Sequence, residues 1–334
     1  MLLPVDELRQ LAVTALERRG APPKKAQLQA DLLIEAELRG LPSHGVQRLP
    51  RLLARIDKGL ADPRTEGERT WTRQGFAAVD GRRGLGPVVM MRALRELEDA
   101  VADCGIAVAA IRNANHIGML AYYAEAAAAA GLIGIVFSTS EALVHPHGGS
   151  EAMLGTNPLA VGIPTEKEAF VLDLATSVVS MGKIHHHALC GEPIPPGWAV
   201  DAEGKPTRDA EAAKSGAIAP FGGAKGYGLG LAIELLVAAL AGSDLAPDVR
   251  GTLDDEHPVN KGDVLVLIEP RAGAGSAATL TAYLSRLRTS RPADPERPVA
   301  VPGDGSRARR KKALSTGIKV PEPLFASLSA LATA

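Results

Sequence analysis

The chain has 334 residues, 46% of them hydrophobic and 22% charged, which is an ordinary globular composition with length for two domains or one elaborated one. A net charge of -1 gives no overall field to draw nucleic acid or an anionic membrane, so a small molecule or a protein is the expected partner. Two cysteines, Cys104 and Cys190, exclude a disulfide scaffold, and the charged opening with Asp6, Glu7 and Arg9 reads as neither signal nor transit peptide, so a reducing, cytoplasmic location is expected.

Residues 5–19 and 23–39 carry apolar residues at steps of three and four and predict two amphipathic helices. A third over 49–58 is stopped by Gly59, and a fourth over 85–104 by Gly105. Residues 106–111, Ile-Ala-Val-Ala-Ala-Ile, predict a buried strand. A helix over 120–130 follows, then strands at 133–137, 159–163 and 170–174, a long helix over about 227–241, a strand at 264–268 and a helix over 277–288. The apolar stretch 124–137 is broken by Glu125 and two glycines and does not predict a membrane span. Residues 289–305 hold four prolines and read as a surface linker or lid-like loop. Helices first, then alternation, then a helical tail give a mixed order, of α/β or α+β class.

Ser43-His44-Gly45-Val46-Gln47-Arg48 places a hydroxyl, an imidazole and a guanidinium within six residues. Imidazole exchanges protons near neutral pH, and guanidinium offers a fork that fits a carboxylate. A helix here would set His44 and Arg48 on one face; the competing reading is an exposed helix start capped by Ser43. His116 follows Asn113-Ala114-Asn115 at the carboxyl end of a predicted strand, where sites in α/β sheets gather, although a polar turn fits equally.

Gly155-Thr156-Asn157-Pro158 is a turn with a hydroxyl and an amide that can face a ligand. Asp173, closing a strand before Leu174, Ala175, Thr176 and Ser177, can accept from ribose hydroxyls or satisfy loop amides, and Thr176 or Ser177 can cap a helix. The run from Gly222 to Gly230, with Lys225 and Gly226, opens a helix and suits an anion, or only close helix packing. His145 and His147 lack acidic or thiol partners and His185-His186-His187 point apart, so no metal is expected. Gly273-Ala274-Gly275 formally begins a dinucleotide fingerprint, but no second strand with an acidic end follows; it reads as a turn. Residues 307–312, rich in Arg and Lys, read as a solvated helix face.

Together these segments, with Gly197-Trp198-Ala199-Val200-Asp201 and Pro206-Thr207, resemble the type-2 malate/L-lactate dehydrogenase family in order over residues 5–328. That family includes ureidoglycolate and sulfolactate dehydrogenases, diketogulonate reductase and cyclic imino-acid reductases. The resemblance implies a non-Rossmann dinucleotide-binding fold, a mixed sheet wrapped by helices. It also implies NAD- or NADP-dependent hydride transfer on a small carboxylate substrate, and a homodimer. The implied domains are residues 1–118 plus 306–334, helical and substrate-side, and residues 119–305, dinucleotide-binding with a helical insertion.

Carried onto this chain, His116 or His44 is the proton donor and acceptor, beside Ser43, and Arg48 is the carboxylate clamp. Ser140, Thr156, Asp173, Leu174, Ala175, Thr176, Lys225, Gly226, Pro302, Gly303 and Asp304 are implied cofactor contacts. A cyclic imino acid is the alternative substrate, and a non-catalytic dinucleotide-binding protein the alternative function. Two departures bear on substrate and cofactor preference: His147 before Gly148-Gly149, and Asp304 where the family often has Glu.

Overall fold

A computed structural model of the chain describes residues 1–273 and 275–333. The chain opens with β1 (Leu2–Leu3), α1 (Val5–Arg18) and α2 (Pro23–Leu38), two 3₁₀ turns (Pro42–His44 and Val46–Arg48) and α3 (Leu49–Asp57). Next come β2 (Glu68–Arg73), β3 (Phe76–Asp80), α4 (Gly86–Cys104), β4 (Ile106–Arg112), α5 (Ala121–Ala129), β5 (Ile133–Ser138), β6 (Leu159–Ile163) and β7 (Phe170–Leu174). A smaller unit holds α6 (Met181–Cys190), β8 (Ala199–Val200), β9 (Pro206–Thr207), α7 (Ala210–Ala213) and β10 (Ala217–Ile218). The chain then runs through α8 (Ala224–Ala241), β11 (Gly262–Ile268), α9 (Ala277–Arg288), α10 (Asp304–Thr316), β12 (Ile318–Lys319) and α11 (Glu322–Thr333). Of the formal fingerprint at 273–278, Ala274 lies outside the described residues.

The main sheet has seven strands in the order β2-β3-β4-β11-β5-β6-β7, with β3 and β4 parallel and every other pair antiparallel. Its inner strand β11 is apolar without alternation because both faces are covered. Leu265 and Leu267 face the core under α4 and α5, while Val264 and Val266 face α8. This strand returns late in sequence and pairs with β4 from Gly262↔Arg112 to Ile268↔Ile106. The expected division at 118/119 therefore falls between strands of one sheet, because residues 68–112 are locked to residues 133–174 through β11.

A second core joins the two ends of the chain: Leu8, Leu16, Leu33 and Leu53 pack with Ile318, Val320 and Leu328. Arg39, at the end of α2, grips Glu125 of α5 with both terminal nitrogens at 2.6 Å, a bidentate pair that ties this layer to the sheet. α8 is the one described helix long and apolar enough by length and composition to cross a membrane. Here Ile233, Val237 and Ala241 pack on the sheet against Ala110 and Val264, and its Glu234 is buried, accepting from Asn157 and from the Ala246 amide. Its Leu229, Leu235, Leu236 and Leu240 stay exposed.

Candidate active site

Residues 43–48 do not form the α-helix that would have placed His44 and Arg48 one turn apart. They form two 3₁₀ turns separated by Gly45, whose backbone is extended at φ -93° and ψ -154°. The reason lies in α2. The Glu37 carboxylate accepts the Val46 amide at 2.9 Å, and a Cβ on Gly45 would stand 2.0 Å from Glu37 Oε1, so only glycine fits over that side chain. Burial raises the Glu37 carboxyl to about 7, the Val46 hydrogen bond opposing it.

The kinked turn still converges its polar groups. Arg48 Nε donates to the Ser43 carbonyl at 2.7 Å, leaving its two terminal nitrogens free of that bond. Ser43 Oγ lies 3.0 Å from His44 Nδ1, so the hydroxyl serves the imidazole instead of capping a helix. The ring centroids of His44 and His116 are 5.6 Å apart.

His116 is held differently. Its Nδ1 accepts the Gly118 backbone N–H at 2.9 Å, and a backbone amide cannot turn round to accept, so the ring's proton sits on Nε2. The neighbouring amides do not orient it. Asn115 is buried, accepts from Arg55 and donates to the carbonyls of Arg83 and Gly84, while Asn113 donates to Asp80. Burial, then the Arg48 charge, lowers the His44 imidazole from 6.5 to about 4; burial followed by Arg48, His44 and Lys261 pushes His116 well below its usual value. Both rings are neutral at pH 7 in the free protein.

Two chambers meet at His44. A pocket of about 40 Å³ is lined by His44, His116, Arg48, Arg51, Arg55 and Gln29, among others. A cleft of about 650 Å³, lined in part by Thr156, Asp173, Leu174, Ala175, Pro302 and Gly303, opens on the other side; such a volume is ordinary for a small-molecule or cofactor site. His44 and Gly118 are the two residues that line both.

Several expected contacts lie elsewhere. Thr176 is buried, donating its hydroxyl to the Thr156 carbonyl at 3.0 Å with Gly230 of α8 packed against it. Lys225 and Gly226 do not line the cleft: Lys225 is exposed on the first turn of α8, and Gly226 abuts the Phe221 carbonyl, where a Cβ would come within 2.0 Å. Gly226 and Gly230 serve close packing. Asp304 turns away from the cleft to Arg288 and Arg307, whose ion pairs, with the Val301 amide, hold its carboxyl well below the usual range. Ser140 sits behind Thr156, its Oγ accepting the Thr156 amide at 3.1 Å. Asp173 lines the cleft while Oδ2 accepts the Ala121 amide at the start of α5 at 2.7 Å, and Ser177 bonds the Val179 carbonyl instead of capping a helix.

The malate/L-lactate dehydrogenase family model matches residues 3–329 of the chain. The chain belongs to the malate/L-lactate dehydrogenase family. It is 35% identical over 331 residues to L-sulfolactate dehydrogenase of Methanocaldococcus jannaschii, covering 98% of this chain and 95% of that protein. It is 34% identical over 330 residues to a Pseudomonas aeruginosa reductase of Delta(1)-pyrroline-2-carboxylate and Delta(1)-piperideine-2-carboxylate, covering 98% of each. A dehydrogenase crystal structure from Sinorhizobium meliloti superposes with a TM-score of 0.97 at 68% identity, over 99% of this chain and 98% of that one. The chain is therefore an oxidoreductase, and membership of a dehydrogenase family implies a nicotinamide cofactor in general.

The cleft of this family member fits such a group. The first turn of α10 reaches it through Gly305 and Ser306, and the N–H groups of a helix N-terminus favour phosphate, whereas at the start of α5 the Asp173 carboxylate already takes the Ala121 amide. Gly303 tolerates no side chain, since a Cβ there would meet Arg307 Nη1 at 2.8 Å, and its φ is +95°. Sequence reading missed Gln29, Arg51, Arg55 and Thr252 on the pocket wall. Arg51 and Arg55 stand three and seven residues beyond Arg48 on α3, a spacing that could have found them.

Proposed function

We propose that this enzyme interconverts a small 2-keto acid and its 2-hydroxy acid with NAD or NADP, with His44 as proton donor and acceptor and Arg48 as the carboxylate clamp. The observation that carries the reading is the contrast between the two imidazoles. His44, which lines both chambers, faces a rotatable hydroxyl that can donate to a bare Nδ1 or accept from a protonated one. His116 would lose its Gly118 hydrogen bond on protonation. His44 can therefore cycle its proton without breaking a contact, whereas His116 serves as a fixed Nε2–H donor to the substrate's carbonyl oxygen.

In the reduction, a nicotinamide held in the cleft would supply the hydride to C2, which would leave the C=O electron pair on the substrate oxygen. His44 Nε2 gives that oxygen its proton, leaving a hydroxy acid and a neutral imidazole. Arg48 holds the C1 carboxylate so that C2 faces the cleft. The test is a matrix of 2-keto, 2-hydroxy and cyclic imino acids against both nucleotides, followed at the nicotinamide absorbance. Turnover of a 2-keto acid with the reverse reaction on its alcohol supports the reading; turnover of cyclic imines alone replaces it with imine reduction. Nucleotide binding without turnover of any of them leaves a binding protein.

The pH dependence follows from the lowered imidazole. Oxidation needs neutral His44, so its kcat/KM is expected to be flat through neutral pH and to fall only as pH drops through about 4. Reduction needs the protonated ring and should gain as pH falls toward that value. The Arg48 charge is part of what depresses His44, and a bound carboxylate offsets it, so the inflection in kcat is expected above that in kcat/KM. Inflections at the same pH would disconnect Arg48 from the carboxylate.

A homodimer is also proposed, supported by the exposed Leu229, Leu235, Leu236 and Leu240 face of α8. Light scattering on the purified enzyme should give twice the chain mass, and Leu236→Glu should halve it.

A further inference from the structure

Most of the arginines packed around α10 are matched to acids. Arg288 and Arg307 hold Asp304 at 2.8 and 2.6 Å, Arg307 also reaches Glu168 at 3.1 Å, and Arg310 pairs with Glu35 at 2.8 Å. Arg309 is different. Its Nε donates to the Arg39 carbonyl at 2.7 Å, and neither terminal nitrogen has a protein acceptor among the described residues. Helix phase explains the difference. Arg307 and Arg310, three residues apart, share the face turned to those acids, whereas Arg309 follows Gly305 by four residues and lines the cleft with it. Two glycines make room for its side chain. A Cβ on Gly305 would stand 3.3 Å from Arg309 Nη1, and one on Gly40, whose φ is +72°, would stand 3.1 Å from Cδ and 3.2 Å from Nε. The guanidinium is therefore anchored on one edge, exposed at the cleft wall, with its fork uncommitted.

The acids of the cleft are engaged. Among the described residues Glu125 and Asp173 line it. Glu125 gives both oxygens to Arg39 at 2.6 Å, and Asp173 Oδ2 accepts the Ala121 amide at 2.7 Å. Ser306, also on the cleft wall, stands with Oγ 3.5 Å from Arg39 Nη1, which approaches it as a donor, so the serine O–H remains to donate elsewhere. This balance bears on the nucleotide. A carboxylate at the adenosine ribose takes the 2′-hydroxyl of NAD, and a cation there accommodates the 2′-phosphate of NADP. Glu125, the acid joined to Arg309 through Arg39, is already neutralised. What the cleft has to spare is a planar fork and a hydroxyl three residues apart on one helix, a set that matches the oxygens of a phosphate monoester.

We propose that Arg309 and Ser306 bind the 2′-phosphate of the adenosine ribose, so that the enzyme prefers NADP to NAD. The inference rests on the nicotinamide-dependent reading above and decides what that reading leaves open. The pyrophosphate is the competing partner for Arg309; it is common to both nucleotides and gives no preference.

The experiment measures binding without substrate. NADPH and NADH are titrated into the whole enzyme and followed by nicotinamide fluorescence, and NADPH is expected to bind about 30-fold or more tightly. Arg309→Gln should raise the NADPH dissociation constant about 30-fold and the NADH constant far less. Ser306→Ala should act in the same direction by about fivefold. Because Arg309 also holds the Arg39 carbonyl, Ser306→Ala decides the matter if the Arg309 variant does not fold. As a readout without nicotinamide, 2′,5′-ADP should raise the melting temperature more than 5′-ADP, which carries both phosphates at one end, and the difference should vanish in Arg309→Gln. Equal weakening of both nucleotides in Arg309→Gln would place the guanidinium on the pyrophosphate and overturn the assignment. Tighter binding of NADH by the unaltered enzyme would overturn it too, and the nicotinamide reading survives either result. Binding of neither nucleotide would instead remove that reading together with this inference.

Discussion

His44→Ala is expected to lower kcat by about 10²–10⁴-fold in both directions while nucleotide still quenches fluorescence on binding. The size follows from the ring's position and freedom. His44 lines both the small pocket and the cleft, and its only polar partner among the described residues is the Ser43 hydroxyl, which follows the ring through either protonation state. The pH inflection should disappear with it. His116→Ala is expected to cost less, about tenfold, and to keep the inflection, because an Nε2–H fixed by the Gly118 amide stabilises developing charge without moving a proton. The opposite pattern, with the inflection lost in the His116 variant and kept in the His44 variant, would move the proton to His116 and require Gly118 to release its hydrogen bond during turnover.

How much of this was legible in the sequence depends on where the signal resides. Strands β6 and β7 match their expected bounds because an apolar run between turn residues is set by burial, and helix α9 matches through its apolar spacing although none of its residues is fully buried. The hairpin of β2 and β3 went unseen for the converse reason: all six residues of β2 are exposed, and Glu-Arg-Thr-Trp-Thr-Arg shows no buried face. The two 3₁₀ turns at residues 42–48 depend on Glu37, a half-buried acid on the preceding helix, and no local pattern announces such a partner. Asp304 and Thr176 were legible as polar residues beside glycine or strand ends, but their neighbours, Arg288, Arg307 and the Thr156 carbonyl, come from distant segments. In the Lys225 glycine run, packing glycines and phosphate-binding glycines are the same letters; the Phe221 carbonyl under Gly226 marks that one position as packing.

Arg48→Lys is expected to lower kcat/KM for a 2-keto acid by about 10²-fold, through two separate losses. The first is geometric. Arg48 spends Nε on the Ser43 carbonyl at 2.7 Å and leaves its terminal nitrogens free of that bond, whereas one ammonium cannot both hold the turn and present a planar fork to a carboxylate. Discrimination between the acid and its ester should shrink accordingly. The second is electrostatic. Burial and the neighbouring Arg51 charge lower Arg48 from 12.5 to about 10, which leaves a guanidinium charged at any working pH. A lysine begins about two units lower and in the same surroundings is drawn toward neutrality, so part of the variant population has no charge to offer. Lowering the pH reprotonates that lysine and should narrow the gap between variant and wild type, each pair compared at one pH so that the His44 contribution is shared. A deficit constant across pH would leave geometry as the whole cause. No deficit at all would free Arg48 from substrate binding and shift the carboxylate to Arg51 and Arg55, deeper along α3.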